Sequence, residues 1–145
     1  MEQLLKIENL CKTFTIHSLR KHISASKNIN ISLNKGEFIG ITGRSGSGKS
    51  TILKCIYRTY LANEGNIWYN SKKFGLVDIL SISERQMIYL RKYEMGYVSQ
   101  FLNSMPRTIA RDLVEHSVLE MGFSKEYASK EADKIIAFLE MLPDV

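Results

Sequence analysis

The chain has 145 residues, 44% of them apolar and 24% charged, with a formal net charge of +5. That apolar content suits a packed core and excludes a disordered chain, and the length restricts it to one domain or part of one. No Lys/Arg block is long enough to argue for nucleic acid, and no apolar run approaches a membrane span. Cys11 and Cys55 lack C-x-x-C spacing, so reduced thiols in a cytoplasmic protein are expected.

Residues 4–10 alternate apolar and polar and read as a first strand, continued in extended form through residues 12–16. Residues 17–27 read as a turn or loop; Arg20, Lys21 and Lys27, with Lys12 before them, are scattered basic residues that read as a solvated face first and a partner surface second. Ile29, Ile31 and Leu33 mark a half-buried strand over 28–33, and Asn34-Lys35-Gly36 is a turn signal. Residues 37–42 read as a buried strand, and residues 49–57 as a helix with Ile52, Cys55 and Ile56 on one stripe; Cys55 there is a small core residue. Short strands are predicted over 65–70 and 77–80. Ser81 to Glu84 gives a capping-box start for a helix over 84–92, and residues 95–100 form a strand with a polar end.

The pattern then becomes helical. Thr108 can cap a helix over 109–121 with Ile109, Leu113, Val114 and Val118 on one face, stopped by Gly122. Ser124 caps another, in which Ala128, Ala132, Ile135, Leu139 and Leu142 recur at helical spacing until Pro143. Two amphipathic helices in succession predict a helical hairpin or subdomain. His17, His22 and His116 have no metal-ligand spacing, and Trp68 and the tyrosines are expected to be packing residues.

The chemistry lies between the predicted strand over 37–42 and the helix that follows. Gly43-Arg44-Ser45-Gly46-Ser47-Gly48-Lys49-Ser50, followed by Thr51, fits the phosphate-loop pattern G-x-x-x-x-G-K-[ST] without a mismatch. Glycines let successive backbone N–H groups point at one phosphate cluster, and the helix N-terminus adds its dipole. Lys49 is placed to reach the β- and γ-phosphates, the Ser50 hydroxyl to ligate Mg²⁺, and Thr51 to add a hydroxyl contact. The competing reading is a flexible Gly/Ser turn. The cofactors expected are therefore ATP and Mg²⁺.

In order and spacing these pieces resemble the first half of an ATP-binding cassette (ABC) ATPase domain, an α/β P-loop NTPase fold. The resemblance implies that Phe14 stacks on adenine, against the plainer role of an edge-strand core aromatic. It implies that Gln100, ending Tyr97-Val98-Ser99-Gln100, contacts Mg²⁺ and the attacking water, where otherwise it would be a strand-end cap. It divides the chain into an incomplete ATP-binding core over 1–107 and the start of a helical subdomain over 108–145. The stretches 56–65 and 96–107, the second containing a Gln-Phe-Leu…Pro-Arg run, are similar to the PhnL family, the ATP-binding proteins of the carbon–phosphorus lyase system. That similarity implies a role in phosphonate breakdown, associated with synthesis of ribose 1-methylphosphonate 5-triphosphate. Ala62-Asn63 departs from the family, where a proline-containing turn is commoner.

The sequence holds no Leu-Ser-Gly-Gly-Gln-like signature, no apolar strand ending Asp-Glu and no switch histidine. Phosphoryl transfer depends on the positioning and charge such groups supply, so the expectation is an N-terminal fragment that binds ATP-Mg and does not hydrolyse it. Its expected partners are a second ABC subunit, carbon–phosphorus lyase components or a permease. The alternatives are the ATP-driving subunit of a membrane transporter, a nucleotide-binding module without turnover and, weakest, a small-molecule kinase.

Overall fold

A computed structural model describes residues 2–16, 20–100 and 108–140. The chain separates into two compact units, Met1–Tyr97 and Val98–Val145.

The first unit holds strands β1 (Gln3–Ile16), β2 (Lys21–Asn34), β3 (Glu64–Ser71) and β4 (Gly75–Asp78), with helices α1 (Lys49–Ile56) and α2 (Glu84–Tyr93). The strands form one antiparallel sheet in the order β2-β1-β3-β4. Ile7 stands opposite Ile31 on one side and Ile67 on the other, so the apolar alternation of three strands is in phase. Leu5, Ile7, Leu10, Ile67 and Tyr69 of the sheet share a buried core with Ile52 and Cys55 of α1 and Met87 and Leu90 of α2.

β1 and β2 are longer than the alternation suggests. Both contain a left-handed asparagine, Asn9 (φ 51°) and Asn28 (φ 51°), and the β1–β2 register shifts between Ile7 and Leu10. Such a bulge moves the buried set from Leu5 and Ile7 to Leu10, which in sequence imitates a strand end. Residues 21–27, expected in a loop, therefore belong to β2; His17 lies outside the described residues.

The expected strands over 37–42 and 95–100 are not strands. Their apolar residues have the right composition, but a strand exists only through its ladder partners, and none pairs with them among the described residues. Phe38 is 95% exposed and Val98 83%. β4 lies two residues earlier than expected, because the Asp78 carboxylate accepts from the amides of Ile67 and Leu80 (3.1 Å each) and turns the chain. The capping box of α2 uses Ser83 and Gln86 rather than Ser81 and Glu84. Glu84 is engaged by Arg58 at 2.7 Å, and the Ser81 hydroxyl donates to the Asp78 carbonyl.

The second unit contains α3 (Ala110–Glu120) and α4 (Lys125–Phe138), which pack on each other. Ser124 caps α4 as expected, accepting from the Tyr127 amide. Thr108 does not cap α3; its N-cap is Ile109, which has no side-chain acceptor. The buried face of α4 is Ala128, Ala132 and Ile136, an i, i+4, i+8 row that leaves Ile135 and Leu139 exposed. Arg111 joins the pair, donating to Asp133 Oδ1 and the Ser129 hydroxyl. Leu142 and Pro143 lie outside the described residues. No helix among the described residues is long and apolar enough to cross a membrane.

Candidate functional site

The Gly/Ser stretch before α1 is an exposed loop whose backbone conformation only glycine tolerates easily. Gly43, Gly46 and Gly48 have φ of 149°, 78° and 89°. Gly48 is the N-cap of α1 and accepts the first helical bond from Ile52 at 3.1 Å. A Cβ on Gly48 would lie 1.8 Å from the Ala25 carbonyl oxygen, so the glycine also permits β2 to press against the helix start. The Ser47 amide closes a turn onto the Arg44 carbonyl at 3.2 Å.

The Lys49 side chain folds back over this loop. Its ammonium donates to the carbonyls of Gly43 and Arg44, both at 2.8 Å. A cation is thus held across the mouth of a loop whose following helix has no acidic residue in its first turn. The helix dipole there is uncompensated, which favours an anion. Arg44, Ser45, Gly46 and Ser47 are exposed, as is Ser50 in the first turn of α1, while Thr51 beside it is half-buried. The loop conformation, the lysine and the Ser50 hydroxyl together fit a phosphate chain with a hard divalent cation. The alternative of a structureless Gly/Ser turn does not account for the lysine bridge.

Phe14 sits on β1 opposite Ile23 and is half-buried. Its ring meets Tyr60 edge to face at 5.2 Å, with the Lys12 ammonium 5.0 Å above Phe14 and the Lys54 ammonium 5.1 Å from the Tyr60 ring. Tyr60 donates its amide to the carbonyl of Lys54 on α1, so the aromatic pair is tied to the helix that begins at Lys49. Sequence reasoning missed this pairing; the only available signal was a second aromatic soon after the loop helix. Gln100 belongs to the second unit, where it is exposed in a bend. The Phe101-to-Arg107 part of the Gln-Phe-Leu…Pro-Arg run lies outside the described residues.

The other polar groups have local roles. The Trp68 indole donates to Glu8 at 2.8 Å, and Lys6 with Trp68 holds the Glu8 carboxyl below its ordinary value. Burial pushes the Cys55 thiol up, as suits a core cysteine. Among the described residues no group of three His, Cys, Asp or Glu could hold a metal ion.

Residues 26–144 match the family described as ABC transporter. The phosphonates import ATP-binding protein PhnC of Bdellovibrio bacteriovorus is 35% identical over 106 residues, covering 73% of this chain and 37% of that protein. The lipoprotein-releasing system ATP-binding protein LolD of Aquifex aeolicus is 32% identical over 139 residues, covering 96% of this chain and 57% of that protein. Among solved structures, the ATP-binding cassette MJ0796, a dimer in a post-hydrolysis state bound to ADP and Pi, superposes with a TM-score of 0.81 at 27% identity. That match covers 97% of this chain and 59% of the MJ0796 chain. The chain thus spans between about a third and three fifths of the length of these relatives.

Proposed function

The chain belongs to the ABC transporter family, and from that premise we propose that its phosphate loop binds ATP with Mg²⁺ to drive a partner permease. The observation that carries this is the Lys49 ammonium held across the loop mouth by the Gly43 and Arg44 carbonyls. Lys49 would exchange those carbonyls for the β- and γ-phosphate oxygens. The backbone N–H groups of the loop from Gly46 onward would take the remaining phosphate charge, with a Thr51 hydroxyl contact. Ser50 would supply a hydroxyl ligand to Mg²⁺, which when bound neutralises phosphate charge. Phe14, braced by Tyr60, would offer a face to the adenine ring, and Gln100 would sense the metal and the attacking water.

We assign residues 1–107 to nucleotide binding and 108–145 to the start of a helical subdomain. The transport reading is supported by relatives that serve phosphonate import and lipoprotein release. It puts the chain on the cytoplasmic face of a membrane permease, paired with a second ABC subunit. The similarity of residues 96–107 to the PhnL family favours a second reading, a subunit of phosphonate breakdown acting with carbon–phosphorus lyase components. Both readings admit a phosphonate as the compound handled.

The test is calorimetric titration of ATP-Mg into the chain and its Lys49→Ala variant, with phosphate release followed in parallel. We expect the variant to bind at least about tenfold more weakly, the size of a lost charge-assisted contact. Equal binding by the two proteins would overturn the assignment of the loop.

A further inference from the structure

A second concave surface lies away from the phosphate loop, between the β3–β4 turn and the outer face of α2. It is a half-open cleft of about 510 Å³, within the range of small-molecule sites, and Lys73, Arg85 and Lys92 are among its lining residues. Phe74, Tyr89 and Tyr93 line it with their rings, and Ile88, 61% exposed, adds an apolar side chain. No carboxylate lines it.

The neighbouring acids are committed elsewhere. Glu84 pairs with Arg58 at 2.7 Å. Glu94 accepts from the Ser71 hydroxyl and the Lys72 amide, both at 3.0 Å. Lys73, Arg85 and Lys92 consequently have no carboxylate partner among the described residues. Lys73 instead rests its ammonium 4.0 Å from the centre of the Tyr89 ring and 5.5 Å from that of Phe74, and Lys92 lies 5.4 Å from that of Tyr93. Unpaired like charges around one cavity repel each other, and an anion entering between them relieves that repulsion while gaining charge-assisted hydrogen bonds.

The cavity is also preformed. The Ser71 hydroxyl accepts the amides of Lys73 (3.1 Å) and Phe74 (3.0 Å), and Glu94 fastens the same turn to the end of α2. The rings brace one another, Phe74 edge-on to Tyr89 at 5.3 Å and Tyr89 against Tyr93 at 4.7 Å. Little ordering is left for a ligand to impose.

We propose that this cavity is a binding site for a small aromatic anion, a ring bearing a phosphate or similar dianion, independent of the nucleotide site. The dianion lies among Lys73, Arg85 and Lys92, and the ring packs on the tyrosines and Ile88. Three cations select for charge above one, and the aromatic lining selects for a flat apolar body over a bare inorganic ion.

The test is calorimetric titration of the full chain with phenyl phosphate, inorganic phosphate and phenol. Phenyl phosphate is expected to bind at least about tenfold more tightly than either fragment, since it alone engages both halves of the site. The double variant Lys73→Gln/Lys92→Gln is expected to lose about tenfold in affinity or more. Amide shifts in a ¹H–¹⁵N spectrum should centre on residues 73–74 and 85–93, a readout that does not depend on the variant. Equal affinity for phenyl phosphate and inorganic phosphate, unchanged binding by the double variant, or shifts centred elsewhere would overturn the proposal. So would phenyl phosphate binding lost in Lys49→Ala but kept in the double variant, which assigns the ligand to the phosphate loop. Binding to phosphatidylglycerol vesicles without binding of phenyl phosphate would make this a membrane-facing surface and overturn it equally.

Discussion

Gly48 carries two constraints at once, a φ of 89° and a β2 carbonyl that leaves no room for a methyl group. Gly48→Ala is therefore expected to cost about 2 kcal/mol or more, read as a lowered unfolding midpoint, and to weaken nucleotide binding with it. Glu8 gives a pH signature. Lys6 and Trp68 lower its folded-state pKa, so its stabilising contribution is present above the unfolded glutamate pKa and fades as pH falls through the folded value. Trp68 is the single tryptophan, so its fluorescence should report a titration centred below the ordinary glutamate range, which Glu8→Gln abolishes. At this scale the positive-φ glycines of the loop and the start of α1 were legible, because G-x-x-x-x-G-K-[ST] is a backbone requirement written in residue types, whereas the strand expected before the loop was not there. Tyr60 was not, because the pairing of its ring with Phe14 depends on where the end of α1 meets β1, and spacing does not encode that meeting.

Helix α2 is closed at its start by a reciprocal capping box between Ser83 and Gln86. Ser83→Ala should cost about 1 kcal/mol, measured by denaturant unfolding, whereas Ser81→Ala should cost less because its hydroxyl serves only a turn. The sequence offers both spacings; in the structure Ser83 is the N-cap and Glu84 is held instead in an ion pair with Arg58. Existence and type of the helices were legible from their apolar period. Strand continuity was not, because Asn9 shifts the phase within β1 and the left-handed Asn28 interrupts β2. Residues 37–42 show the converse, since they have the composition of a buried strand but composition does not supply a partner.

At the scale of the molecule, the first unit depends on a core that two helices and a sheet share. Met87 is fully buried at its centre, and Met87→Ala is expected to cost about 2–5 kcal/mol, read as a shift of the denaturation midpoint. The ATP-binding cassette fold was legible because order and spacing survive where individual strand boundaries do not, and the match to MJ0796 over 97% of the chain bears it out. The finer resemblance rested on two short stretches, 56–65 and 96–107, and residues 101–107 of the second lie outside the described residues.

The phosphate loop is moored unevenly. Downstream, Ile52 and Cys55 seat α1 in the core; upstream, residues 38–42 make no backbone hydrogen bond among the described residues, and Phe38 lies bare. Held on one bank only, the loop shares the fate of α1, so a substitution that loosens Ile52 or Cys55 in the core also loosens the backbone that would meet a phosphate.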